Sequence, residues 1–137
     1  NLKSFRYYDR MFPTQDHSTS LGNYSDNELN ITNENLKYAE YKDSLQPWTT
    51  ATEKSKTFGE RILLSTGADD SFSKMGIYDL AGNVSEWTLE YTSNTDGPCV
   101  IRGGVFYGSG SAYPACLHDY YDTTSLYASV GFRLALY

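Results

Sequence analysis

The chain has 137 residues, a formal net charge of −6, 13 tyrosines and only 2 tryptophans. This length suits one domain, spanning 1–137, that buries a core of its own. The acidic balance argues against nucleic acid as a partner, because that binding needs clustered Lys and Arg. No apolar run approaches the ~18 residues of a membrane span, so membrane insertion by this fragment is not expected. The chain starts at Asn1 without a signal-type leader and reads as the C-terminal piece of a longer protein.

Taken in order, Asn1 to Asp43 is polar and aromatic-rich, and Ser18–Asn33 carries the Ser, Asn, Asp and Thr of turns. Asn33–Lys42 fits a short helix capped by Asn33, with Leu36, Tyr38 and Tyr41 as its apolar positions. Trp48, after Pro47, is expected to anchor a loop against the core. Arg61–Ser65 (RILLS) is a short apolar run, and Thr66–Ser73 is a turn-rich loop. Met75–Glu90 (MGIYDLAGNVSEWTLE) sets apolar residues between Gly76 and Gly82, and Trp87 within it is expected in the core. Arg102–Gly104 (RGG) and Gly131–Arg133 (GFR) bracket a Tyr/Ser/Gly-rich window, and Leu134–Tyr137 alternates as a strand does. Each bracket joins glycines, which permit close backbone approach, to an arginine able to fork onto carbonyls or a carboxylate.

The window has a restricted alphabet. From Tyr91 to Tyr137 there is no Lys, Glu, Gln, Met or Trp, although all five occur upstream. Those are the amino acids whose codons never end in a pyrimidine. Every residue type in Val105–Val130 can be written by a codon ending in C. About a fifth of ordinary residues belong to the missing five, so a window of that length lacks them all by chance roughly a few times in a thousand. The bias points to residues drawn from a limited set of codons and not selected for one chemistry. Cys99 and Cys116, the chain's 2 cysteines, form one disulfide at most, and their spacing matches no zinc pattern.

IYDLAGNVSEW (Ile77–Trp87), RGG and GFR, in this order, make the chain resemble the formylglycine-generating enzyme/sulfatase-modifying-factor family over Met75–Tyr137. Ser85 departs from the Trp usual before Glu-Trp, and the first 74 residues carry no motif. The resemblance implies an α+β, C-type-lectin-like fold, irregular, with short strands and few helices. Two branches of the family bear on function. In its enzymes, two cysteines after the RGG strand bind copper and oxidise a sulfatase cysteine. Those positions fall at about Gly108 and Tyr113, neither a thiol, so no catalytic residue is expected. The other branch comprises the variable proteins of diversity-generating retroelements, in which unfaithful copying at template adenines rewrites codons near the C-terminus. AAC or AAT codons then become NNY codons, which cannot specify the five missing residues.

This second branch implies a non-enzymatic module with a hypervariable, ligand-binding surface, on a phage particle or bacterial surface. The positions expected to vary are Val105, Phe106, Tyr107, Gly108, Ser109, Ala112, Tyr113, Cys116, Leu117, His118, Asp119, Tyr120, Tyr121, Asp122, Leu126, Tyr127 and Ala128. Gly110–Ser111, Pro114–Ala115 and Thr123–Thr124 read as scaffold punctuation. Tyrosines give large amphipathic contacts at low rotamer cost. Because Tyr120 and Tyr121 are adjacent and no period runs through 105–130, an exposed surface on irregular backbone is expected in place of a core or edge strand. The resemblance also implies a structural calcium at Asp79, Gly82, Val84 and Glu86, oxygen donors on a turn; the alternative is Asx turns with Glu86 paired to an arginine. No cofactor is required. The ligand is open between protein and surface glycan, and an oligomer would suit weak single sites. A catalytic or degenerate sulfatase-modifying enzyme, or a structural surface domain, is the alternative.

Overall fold

The computed structural model describes residues 17–50, 55–73, 76–124 and 126–133. Within them the regular structure is short strands and two single 3-10 turns, Thr19–Leu21 and Asp70–Phe72. The strands are β1 (Gly22–Asn23), β2 (Leu29–Asn30), β3 (Lys37–Glu40), β4 (Thr49–Thr50), β5 (Ser55–Lys56) and β6 (Ile62–Leu64). They continue with β7 (Ala81–Gly82), β8 (Ser85–Tyr91), β9 (Cys99–Arg102), β10 (His118–Tyr121) and β11 (Val130–Gly131). No helix among the described residues is long and apolar enough to cross a membrane.

The RILLS run becomes β6, buried on both faces, and this explains the two cores. Successive strand side chains point to opposite faces. Ile62 and Leu64 join Leu29, Leu36, Ala68 and Phe72, with Tyr38 packed alongside. Leu63 turns the other way, to Ala39 and Phe106, with Tyr41, Val84 and Tyr107 around them. The second core therefore lies under the start of the tyrosine-rich window.

Asn33–Lys42 is not a helix. The Asn33 side chain does accept from a nearby amide, that of Asn35 at 2.9 Å, but it closes a turn. The chain then runs straight as β3, whose partners are β4 and β6. Leu36 and Tyr38 face one core while Ala39 and Tyr41 face the other, a period of two that the apolar strand β6 can satisfy and a helix cannot. Trp48 is 50% exposed and belongs to neither core, so it anchors nothing of the kind expected. Thr66–Ser73 is a loop as expected, with one 3-10 turn capped by Asp69. Leu134–Tyr137 lies outside the described residues.

The largest sheet has the order β10-β9-β8-β11, with β11 parallel to β8 and the other pairs antiparallel. Both brackets of the window belong to it: Arg102 ends β9 and Gly131 ends β11. Asn83, in the left-handed region at φ 59°, joins this sheet to the first half. Its side chain donates to Leu64 O at 2.8 Å and accepts from Leu64 N at 3.0 Å, as a neighbouring strand would. Its amide donates to Asn23 O, and its carbonyl accepts from Phe106 N. One residue thus links β1, β6 and the window.

Candidate functional site

Both bracket arginines fork onto carboxylates. Arg102 donates to Glu90 at 2.9 and 2.7 Å and to the carbonyl of Cys116 at 3.3 Å. Arg133 donates to Glu86 through Nε at 3.0 Å and Nη2 at 2.5 Å, and to the carbonyls of Tyr78 and Asp79 at 2.8 and 3.1 Å. The pairing raises each guanidinium above its ordinary range, and the Arg102 hydrogen bond holds the Glu90 carboxyl below its own. Planar, two-point contacts of this kind fix direction as well as charge.

The same contact bears on the calcium expectation. Glu86, expected as a ligand, is engaged by a guanidinium that also caps the Asp79 carbonyl. Asp79 accepts from Gly67 N at 3.3 Å, and burial pushes its carboxyl above the usual range. Gly82 lies opposite Asn23 in the parallel pairing of β7 with β1. Of the expected set Asp79, Gly82, Val84 and Glu86, the Glu86 carboxylate is thus paired with Arg133, as the ion-pair alternative has it. Among the described residues no group of three His, Cys, Asp or Glu side chains converges on a point.

The window 105–130 is held from outside by a segment without any motif, Ser18–Asp26. Ser18 N donates to Gly110 O at 2.9 Å, and Ser18 Oγ accepts from Ala115 N at 2.8 Å. Tyr24, fully buried, donates its hydroxyl to Tyr113 O at 2.8 Å. Ser25 donates to Gly108 O from its amide at 2.9 Å and from its hydroxyl at 3.0 Å. Asp26 accepts from Gly110 N at 3.1 Å. These bonds all end on main-chain atoms of the window; those from Gly110 N and Ala115 N need a residue other than proline, and Gly110 must stay a glycine because a Cβ there would lie 2.1 Å from Thr19 N. Lys56 braces the cradle from behind, donating to Tyr24 O and, at 2.8 Å each, to Asn27 O and Asn27 Oδ1. Gly104 of the RGG bracket lets the Tyr24 phenol through: a Cβ there would lie 2.4 Å from the hydroxyl and 2.3 Å from Tyr113 O.

Burial divides the positions expected to vary. Val105 at 5% and Phe106 at 0% exposure are core, and Gly108 is buried. These three do not belong to an exposed face: Phe106 enters the second core directly after the RGG bracket, and Gly108 lies against Ser25 and the Tyr113 ring. Tyr107 is half-buried, stacked on Tyr41 at 5.7 Å and edge-on to Phe106 and Tyr113. Ser109, Leu117, Asp119, Tyr121 and Asp122 are half-buried. Ala112, Tyr113, Cys116, His118, Tyr120, Leu126, Tyr127 and Ala128 are exposed. The backbone is also more regular than expected. Tyr120 and Tyr121 lie on β10, an edge strand of the large sheet, and do point to opposite faces, with burial alternating along it. Pairing with β9 supplies the regularity that the window lacks on its own. Cys99 and Cys116 are not bridged.

On one face of β10, Tyr121 meets Tyr127 edge-to-face with ring centroids 4.5 Å apart. Burial, the charge of Asp119 and the neighbouring phenols of Tyr107, Tyr127 and Tyr113 raise the Tyr121 phenol above its ordinary range. The two positions that the resemblance assigns to copper-binding cysteines are neighbours here, but no thiol stands at either. A Cβ on Gly108 would lie 2.3 Å from the Tyr113 ring, so that ring occupies the space between them. Copper–thiolate chemistry does not fit this donor set.

Sequence reasoning missed Ser18, Tyr24, Ser25, Asp26, Tyr41 and Lys56. Only the density of turn-forming polar residues in 18–33 hinted that this stretch makes side-chain to backbone contacts. No curated protein and no solved structure matches the chain. The sulfatase-modifying factor enzyme 1-like domain of the FGE-sulfatase type matches residues 7–137. That match covers far more than the motif-bearing half, and the C-type-lectin-like fold it implies agrees with a structure of short, irregular strands. The chain belongs to the FGE-sulfatase family of sulfatase-modifying factor enzyme 1-like domains.

Proposed function

We propose that this domain is a non-enzymatic binding module whose window, about 105–130, was diversified by a retroelement to display changeable side chains on a fixed backbone. The observation that carries this reading is the cradle. Ser18, Tyr24, Ser25 and Asp26 hold the window through Gly108, Gly110, Tyr113 and Ala115 main-chain atoms. A surface whose side chains change needs support from the main chain, here with Gly108 and Gly110 as closely packed glycines within the grip. The absence of Lys, Glu, Gln, Met and Trp from the window is the second support, since NNY codons cannot write them. The exposed share of the window is tyrosine-rich, as paratopes are. Binding is favoured over catalysis because Gly108 and Tyr113 carry no thiol. Such a module acts outside the cell, on a phage particle or bacterial surface, against a ligand that its sister copies need not share.

Two measurements test this. The neighbouring DNA should hold a reverse transcriptase gene and a near-copy of the window codons differing at template adenines; a genome without them sinks the reading. Separately, NNY libraries at Ala112, His118, Tyr120, Tyr127 and Ala128 should fold with melting temperatures within about 3 °C of the parent, as expected for exposed sites. Widespread unfolding would refute a tolerant scaffold.

A further inference from the structure

We propose that the face formed by Tyr107, Tyr113, Tyr121 and Tyr127 docks a protein partner through arginine side chains. The inference rests on the binding reading above and names the partner's chemistry. It starts from the two faces of β10. Asp119 and Tyr121 share one face, and His118 and Tyr120 the other, because strand side chains alternate. Tyr121 meets Tyr127 and Tyr107 meets Tyr113 edge-on, and the phenols of Tyr107 and Tyr113, with Asp119 on the same face of β10, act electrostatically on Tyr121.

The formal charges of the window are of one sign. Val105–Val130 contains Asp119 and Asp122 but no Lys or Arg. The arginine of the adjoining strand, Arg102, sits opposite His118 on the other face and is committed to Glu90. Asp122 is held in place by Thr124, whose amide and hydroxyl donate at 2.8 and 2.6 Å; those bonds keep its carboxyl below the ordinary range. Asp119 accepts from the Tyr120 amide at 2.8 Å, which blunts this strand edge against simple strand pairing. The face therefore offers side chains, not a free backbone ladder, to its partner.

Aromatic ring faces carry negative charge density and attract cations placed over them. The Tyr121–Tyr127 pair is T-shaped at 71° and the Tyr107–Tyr113 pair at 73°, so the surface is notched and not a flat platform. A planar guanidinium can lie over one ring and fork onto a flanking carboxylate, which a lysine ammonium cannot do. A chain of net charge −6 repels anionic glycans and attracts a basic protein surface.

The test uses fluorescence anisotropy at two salt concentrations with a flexible peptide alternating Arg with Gly and Ser. Its comparison is the same peptide with citrulline, the neutral analogue, at each Arg. The citrulline peptide should bind at least about tenfold more weakly, as loss of charge complementarity requires. The double variant D119N/D122N keeps the acceptors for the Tyr120 and Thr124 amides and should lose about tenfold, while E34Q/D70N, which removes equal charge beside the other core, should lose less than about twofold. Tyr127→Leu leaves the charge unchanged and should still weaken binding several-fold, as a lost cation–π contact predicts. Equal losses for the two double variants, or equal binding of both peptides, would overturn the proposal. So would binding of neutral oligosaccharides at this face with none of the arginine peptide. If the peptide fails while the variants melt like the parent, arginine recognition falls and the tolerant scaffold stands; if the variants unfold, the scaffold reading falls as well.

Discussion

Tyr24→Phe isolates the cradle. The substitution keeps a fully buried ring and deletes only the hydroxyl that donates to Tyr113 O at 2.8 Å. A net neutral hydrogen bond is worth about 1 kcal/mol, and leaving its partly buried acceptor unpaired adds to the loss, for a total of about 1–2 kcal/mol. For a domain of this size that lowers the melting temperature by roughly 3–7 °C. The diagnostic quantity is the coupling. Because the hydroxyl grips a carbonyl and not a side chain, the loss should be the same whatever occupies the window. Chemical denaturation of the parent, Tyr24→Phe, window variants such as Tyr113→Ser or His118→Thr, and the combinations gives two double-mutant cycles. Interaction energies should stay within about 0.5 kcal/mol, the usual limit for independent sites. A coupling above about 1 kcal/mol in either cycle would show that window side chains take part in their own support, and the argument for a tolerant backbone would fail.

Two further outcomes follow from the same contacts. Burial lowers the Lys56 ammonium to about 8, from the ordinary 10.5. Between those values the folded state binds fewer protons than the unfolded one, so stability should rise as pH goes from about 8 towards 10. Lys56→Met should remove that rise and, by stranding the carbonyls of Tyr24 and Asn27, cost roughly 2–4 kcal/mol at pH 7; a parent that loses stability from pH 8 to about 9.5 contradicts the assignment. Gly108→Ala should cost about 1–3 kcal/mol by forcing a methyl group against the Tyr113 ring, and Tyr113→Ser should relieve most of that cost. Urea midpoints of the parent, the two single variants and the double variant decide it: an equal cost of Gly108→Ala with and without Tyr113→Ser would mean the two positions do not meet.

Legibility was uneven along the chain, for local reasons. The brackets could be read because glycine and arginine have few substitutes where backbones approach closely and a fork must meet a carboxylate. Arg102 and Arg133 do meet Glu90 and Glu86. The β6 run could be read because three consecutive apolar residues need burial on both sides. Asn33–Lys42 misled because its polar cap and spaced aromatics suit a helix locally, whereas β6 offered a partner strand that no local pattern announces. Val105 and Phe106 looked like part of a variable surface because they share its alphabet, yet both are buried, Phe106 in the second core. Glu86 belonged to two readings, a calcium ligand and an ion-pair partner. Only the arrival of Arg133 from a position 47 residues away separated them.

By itself the amino-acid sequence determined that the window's alphabet is restricted, where its brackets lie, that no thiol stands at Gly108 or Tyr113, and that clustered basic charge is absent. Composition and codon possibility are properties of the chain as written and need no folding. The tertiary structure decided which window residues point outward, what grips the backbone between them, and that Tyr107, Tyr113, Tyr121 and Tyr127 share a face with Asp119. Those depend on contacts across long separations, such as Tyr24 with Tyr113 and Ser18 with Ala115. Such contacts form between a polar side chain and a main-chain group that nearly every residue type carries, so the identity of the residue held announces little of them.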